Sequence, residues 1–300
     1  MQRILLSLGM IVFVGALAAG ATGAFFNDTE TSTGNTFAAG DIDLNIDNES
    51  YAIDFNIPGT TAPTGALVAN PANSWEAADL TNQKFFNFTD VKPGDYGEDT
   101  ISIHVGSNNA WMCAAARVTI DSDETCTEPE NAAIGGENNN CVPGVDALTG
   151  GELDSELKFA FWVDDGDNVY EPVAGQNGGV AETLFLQGSL EDMNAAGQIA
   201  LAQPGGGAFG NNPIPGNTTV YIGKMWCAGT MTPGALVQDG LNTGSPLTLG
   251  TGFTCNGATM NNSAQTDKVV GDMEFYATQS RNNSTFSCAQ NYTPTWAQIN

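Results

Sequence analysis

Apolar residues in this chain recur at every second position in short runs, and Gly, Asn, Asp and Pro end each run before a helical face could form. Ile42, Leu44 and Ile46 set the pattern, and Ile53, Phe55 and Ile57 repeat it. Similar runs fall at 86–88, 101–105, 118–120, 157–163, 183–186, 219–226 and 269–278. A period of two marks strands with one buried face. The chain is therefore expected to be all-β, a jelly-roll-like β-sandwich with long Gly/Asn-rich loops and at most short helices. One such helix is expected at 190–196, where Ser189 is followed three residues on by Asp192, a capping-box spacing. Long connections are expected at 58–83, 121–151, 203–217 and 228–267, as surface decoration or lateral contacts.

The start of the chain reads as an export signal: Arg3, an apolar stretch over 4–19, then the small residues Ala21, Thr22, Gly23 and Ala24. Signal peptidase is the partner implied, with cleavage after Ala24, and membrane contact is confined to the uncleaved signal. The expected organisation is a signal peptide at 1–24, an N-terminal segment at 25–40 and a single β domain at 41–300. Eight basic residues stand against 34 acidic ones, a net charge of −26. Phosphate backbones are bound through Lys and Arg, so nucleic acid is not expected as a partner. The same field repels anionic membrane surfaces and attracts divalent cations.

Six cysteines in an exported chain argue for disulfides. Cys126 and Cys141 bracket an Asn/Gly/Glu-rich loop that no apolar packing could hold, and a bridge closing it would contribute ~3 kcal/mol in the chain-entropy model. Cys113, Cys227, Cys255 and Cys288 allow three pairings, of which Cys227 with Cys255 and Cys113 with Cys288 is favoured. Zinc is disfavoured, since there is no Cys-x-x-Cys knuckle and only one histidine.

Residues 20–46 carry a longer ordered pattern: Gly20-Ala21-Thr22-Gly23-Ala24, then Phe26-Asn27-Asp28-Thr29-Glu30, then Asn35-Thr36-Phe37-Ala38-Ala39-Gly40-Asp41-Ile42-Asp43-Leu44. This resembles the TasA/camelysin family of secreted, fibre-forming proteins of biofilm matrices. Lys92-Pro93-Gly94-Asp95 and the runs 159–162 and 221–227 are softer echoes of it. The resemblance implies a secreted jelly-roll subunit, in the extracellular matrix or at the cell surface, that polymerises with copies of itself and meets other matrix components. It also implies that the N-terminal segment leaves its own subunit and completes a sheet of the next one. Phe25, Phe26, Thr29, Thr31 and Thr33 would then be the donor-strand residues.

Two other functions compete. Camelysin relatives have been described as cell-surface metallopeptidases, but a zincin needs two histidines a helical turn apart with a glutamate between. Here His104 stands alone in a strand pattern, and no Gly-x-Ser-x-Gly elbow exists, so no catalytic residue is expected and the chain is read as a non-enzyme. A monomeric surface adhesin or carbohydrate-binding jelly roll is the third reading. Trp75, Trp111, Trp162, Trp226 and Trp296 are read as core or loop anchors. No motif requires a cofactor, but Asp164, Asp165, Asp167, Asn168 and Glu171 offer carboxylate, amide and backbone oxygens around Gly166, the donor types calcium takes. The competing reading of that segment is an acidic β-turn joining 159–163 to a second strand at 169–173.

Overall fold

The computed structural model describes residues 42–54, 65–133, 143–144, 150–175, 179–240 and 244–298. Among these residues twelve strands are formed: β1 (Leu44–Asp54), β2 (Ala66–Ala69), β3 (Trp75–Ala78), β4 (Tyr96–Val105), β5 (Ala110–Asp123), β6 (Leu157–Asp164), β7 (Thr183–Ser189), β8 (Gln198–Ala202), β9 (Thr219–Ala228), β10 (Thr230–Pro233), β11 (Phe253–Asn256) and β12 (Asp267–Gln279). The larger antiparallel sheet runs β2-β1-β4-β9-β6-β7, with β3 also paired to β1. A three-stranded sheet, β12-β5-β8, packs against it, and β10 pairs with β11 in a small hairpin. The expected all-β sandwich is what forms. Its helices are short: α1 (Glu128–Ala133), α2 (Leu153–Glu156), α3 (Leu190–Ala196), α4 (Pro246–Leu249) and α5 (Cys288–Asn291).

Alternation places Ile101, Ile103 and Val105 of β4 on the inner face beside Ile222 and Trp226 of β9 and Phe159 and Phe161 of β6. Met112 and Leu201 close the core from the smaller sheet. Each such side chain stabilises the fold by about 1.5–3 kcal/mol on burial. The outer face of the larger sheet carries a second, smaller core of Ala160, Trp162, Tyr170, Met225, Met231 and Phe253, because β10 and β11 lie over it. That outer layer matters for the site described below.

Cys113 of β5 is bonded to Cys288 of α5, with Cα atoms 5.8 Å apart, and Cys227 of β9 to Cys255 of β11, at 5.6 Å. Both pairings are the ones favoured from the sequence. The first ties the C-terminal segment to the middle strand of the smaller sheet, and the second ties the outer hairpin to the larger one. Such bridges belong to an oxidising compartment. The loops they close span 175 and 28 residues. Breaking them by Cys→Ala pairs should therefore cost ~5 and ~3.5 kcal/mol respectively in the chain-entropy model. Urea melts of the two double variants check the order; a larger loss for Cys227/Cys255 would overturn it. The pairing expected for Cys126 involves Cys141, which lies outside the described residues.

Several expectations need correction. The run at 86–88 forms no strand: Phe86 stands edge-on to Phe159 at 5.1 Å and Phe88 lies against Trp226 at 4.6 Å, so their rings fill inner face that three strands cannot cover. The connections at 58–83 and 228–267 are not structureless, since they contain β2, β3, β10 and β11. Four-residue strands are too short for alternation to register. By contrast α3 forms where expected, with Ser189 Oγ accepting from Asp192 N and Asp192 Oδ2 accepting from Ser189 N at 2.8 Å. Among the described residues no helix is long and apolar enough to cross a membrane. Residues 25–40, with the expected donor segment, lie outside the described residues.

Candidate metal centre

Antiparallel register puts Glu98 and Thr100 of β4, Gly223 and Met225 of β9, and Ala160, Trp162 and Asp164 of β6 on one face, the outer one. Gly223 sits between Thr100 and Trp162, and a Cβ there would lie 2.0 Å from the indole Cε2. Only glycine lets the Trp162 ring lie across β9. Its Nε1 then donates to Asp164 Oδ1 at 3.1 Å. Gly223→Ala should displace the ring and break that bond, at a cost of about 3 kcal/mol. Urea denaturation would show it; a change below ~0.5 kcal/mol would mean the ring moves freely.

Past Asp164 the chain turns through Gly166, at φ 109°, and Asn168, at φ 64°. Asp164 Oδ2 organises the turn by accepting from Gly166 N (3.1 Å), Asn168 N (3.3 Å) and Thr100 Oγ1 (3.1 Å). The Val169–Val173 stretch does not return along β6 as a hairpin strand. β6 pairs with β7 and β9, and residues 170–173 bond instead to Thr251 and Leu236. The reason is packing: Tyr170 stacks on Phe253 at 4.8 Å in the outer core. Glu182, just before β7, then bridges the turn, Oε1 accepting from Asp165 N at 3.1 Å and Oε2 from Glu171 N at 2.8 Å. Gln238 Nε2 donates to Asp165 Oδ2 at 2.6 Å.

One carboxylate oxygen each from Asp164, Asp165 and Glu182 falls within a 4.8 Å span. Two ligands on opposite sides of a calcium ion are about 4.6–5.2 Å apart, twice its bond length to oxygen. Glu98 carries the most weight. It is fully buried and, among the described residues, neither carboxylate oxygen has a hydrogen-bond partner. Asp165 Oδ1, Asp167 Oδ2, Asn168 Oδ1 and Glu171 Oε2 are buried without partners as well. Burial, and then the neighbouring carboxylates, push Glu98 well above its usual range, Asp167 up to about 7 and Glu182 up to about 9. Asp164 rises to about 6 through burial, held down by its donors. Lys224 offers no relief, since it points to the inner face and pairs there with Asp99 at 3.0 Å. Six acidic groups and orphaned oxygens, with no His or Cys among them, suit a hard divalent cation and not zinc.

Of the residues expected from the sequence, Asp164 and Asp165 meet in this cluster, and Asp167, Asn168 and Glu171 flank it. Glu98, Glu182 and Gln238 were not expected. His104 is elsewhere: six residues along β4 from Glu98, about 20 Å at strand rise. Its Nε2 is 2.6 Å from Asp47 Oδ2 and its Nδ1 3.0 Å from Thr219 Oγ1, so both ring nitrogens are engaged within the sheet. Trp111, Trp162 and Trp226 are buried as expected, and Trp296 lies under the Arg117 guanidinium at 4.8 Å. No family model and no curated protein matches this chain.

Proposed function

We propose that this chain is the non-catalytic structural subunit of an extracellular filament, joined head to tail when the N-terminal segment of one copy adds to a sheet edge of the next. The observation that carries the reading is β12, a thirteen-residue strand that ends the smaller sheet and, among the described residues, is paired on one side only, by β5. A long unpaired edge is a template for another strand. The bulge at Val270/Gly271 interrupts it, leaving 272–279 as the regular stretch, a length suited to Phe25–Thr33. Beneath lies a small apolar cleft lined by Phe161, Phe185, Leu201, Met273 and Phe275, side chains against which the rings of Phe25 or Phe26 would pack. The contact is heterologous and need not close, so it propagates as a fibre.

The likeness of residues 20–46 to the TasA/camelysin pattern favours the same reading. The metal centre has a structural part in it: calcium at Asp164, Asp165 and Glu182 would fix the outer layer to the larger sheet. Electron microscopy of the secreted chain, with and without residues 25–33, tests the assembly.

A further inference from the structure

Away from the centre already described, the end of the smaller sheet brings a second set of acidic groups together. Asp123 closes β5 and Asp267 opens β12, and the two stand directly opposite in the antiparallel register. Like charges in that position destabilise a sheet unless something lies between them. Glu130 of α1 completes the group, with one carboxylate oxygen from each residue inside a 4.8 Å span. Asp123 is 3% exposed, and its Oδ1 has no hydrogen-bond partner among the described residues. Asp267 Oδ2 accepts from Glu152 N at 2.7 Å and Leu153 N at 3.0 Å, which aims the carboxylate but leaves Oδ1 buried and unpartnered. Glu130 Oε2 accepts from Thr127 N at 2.9 Å. Asp121 Oδ1 and Glu152 Oε2, from neighbouring positions, are also buried without partners.

Hydrogen bonds that aim the Glu130 and Asp267 carboxylates, beside buried oxygens of Asp123 and Asp267 with no partner among the described residues, are how a protein prepares a ligand set for a cation. We propose that Asp123, Glu130 and Asp267 form a second hard-divalent-cation site, of calcium type, that clamps the start of β12 and helix α1 to the end of β5. The oxygen-only donor set selects calcium over zinc. It is independent of the Asp164 centre, sharing no ligand with it, and stands whether or not the chain polymerises.

Equilibrium dialysis of the oxidised, secreted chain against radioactive calcium tests it. The full chain should bind two ions, Asp123→Asn/Asp267→Asn one, and Asp164→Asn/Asp165→Asn one. Terbium distinguishes the sites, because Trp162 contacts Asp164 and should sensitise emission from that centre. The Asp123/Asp267 variant should lose one bound ion and keep that emission. If the double variant does not fold, Glu130→Gln decides: it should weaken one of two sites at least ~10-fold, the lower end of what losing even an outer partner costs. A count in the unaltered chain that neither Asp123→Asn/Asp267→Asn nor Glu130→Gln lowers or weakens overturns the site, whether or not the Asp164 centre binds an ion of its own.

Discussion

Without divalent cations, the folded chain should lose stability steadily as pH rises from about 4 to about 9, and calcium should remove part of that loss. The sign follows from the buried carboxylates. Asp164, Asp167 and Glu182 hold their protons up to about 6, 7 and 9 in the folded chain, well above the ordinary values of 3.8 and 4.5. Each folded carboxyl therefore binds its proton more tightly than the unfolded one. That contribution is complete below about pH 4 and is lost as pH passes the folded value. The Asp164 rise alone, from 3.8 to about 6, is worth ~3 kcal/mol. The groups are close enough to titrate as a set, so a broad decline is expected and not separate steps.

A cation that binds only the folded chain restores ~2.7 kcal/mol at a hundredfold excess over its dissociation constant, and nothing at pH 4, where protons hold the ligands. Urea melts at pH 4, 6 and 8, with calcium or with sodium chloride at equal ionic strength, read both effects. General repulsion from a net charge of −26 would bend the curve the same way, so a variant separates the two causes. Glu182→Gln should make the cation-free chain more stable at pH 8 and at the same time erase the gain from calcium. A flat profile without cations, or a calcium gain equal at pH 4 and 8, would show that the cluster does not behave as a metal centre.

What the sequence could reveal of this centre depended on adjacency. Asp164 to Glu171 lie in one turn, so their oxygens could be counted along the chain. Glu98 reaches the same place only through the β4–β9–β6 register, and a strand alternation reading sends it outward to solvent. It is buried because β10, β11 and Tyr170 form a second layer over that face, and nothing local in 228–267 announces that layer. The fold class was legible for the opposite reason: β4, β5, β9 and β12 are each ten residues or longer, enough for the period of two to stand out. The same length rule explains why β2, β3, β10 and β11 were missed. The second acidic group escaped because Asp123, Glu130 and Asp267 come from three elements and meet only when β12 pairs with β5.

Removing residues 25–33 should leave a folded, oxidised monomer that no longer polymerises. The fold is expected to survive because both described disulfides and the core residues lie between Ile46 and Tyr292, downstream of the deletion. Assembly is expected to stop because the edge at 272–279 would then have no strand to receive. Phe25→Asp/Phe26→Asp should act likewise, since an unpaired carboxylate placed in the apolar cleft costs several kcal/mol. A synthetic peptide of residues 25–40 supplies the strand without supplying another subunit. It should bind the truncated monomer and cap growing ends of the full chain. Charge on the acceptor gives an independent handle: Met273→Lys, whose side chain lines the cleft, should block assembly in the full chain while leaving its N-terminus free to cap others. Mixed with unaltered protein, it should shorten filaments in proportion to its share. Filaments of unchanged form from the truncated chain would end the strand-addition reading, and unchanged filaments from the Met273 variant alone would move the acceptor to another edge.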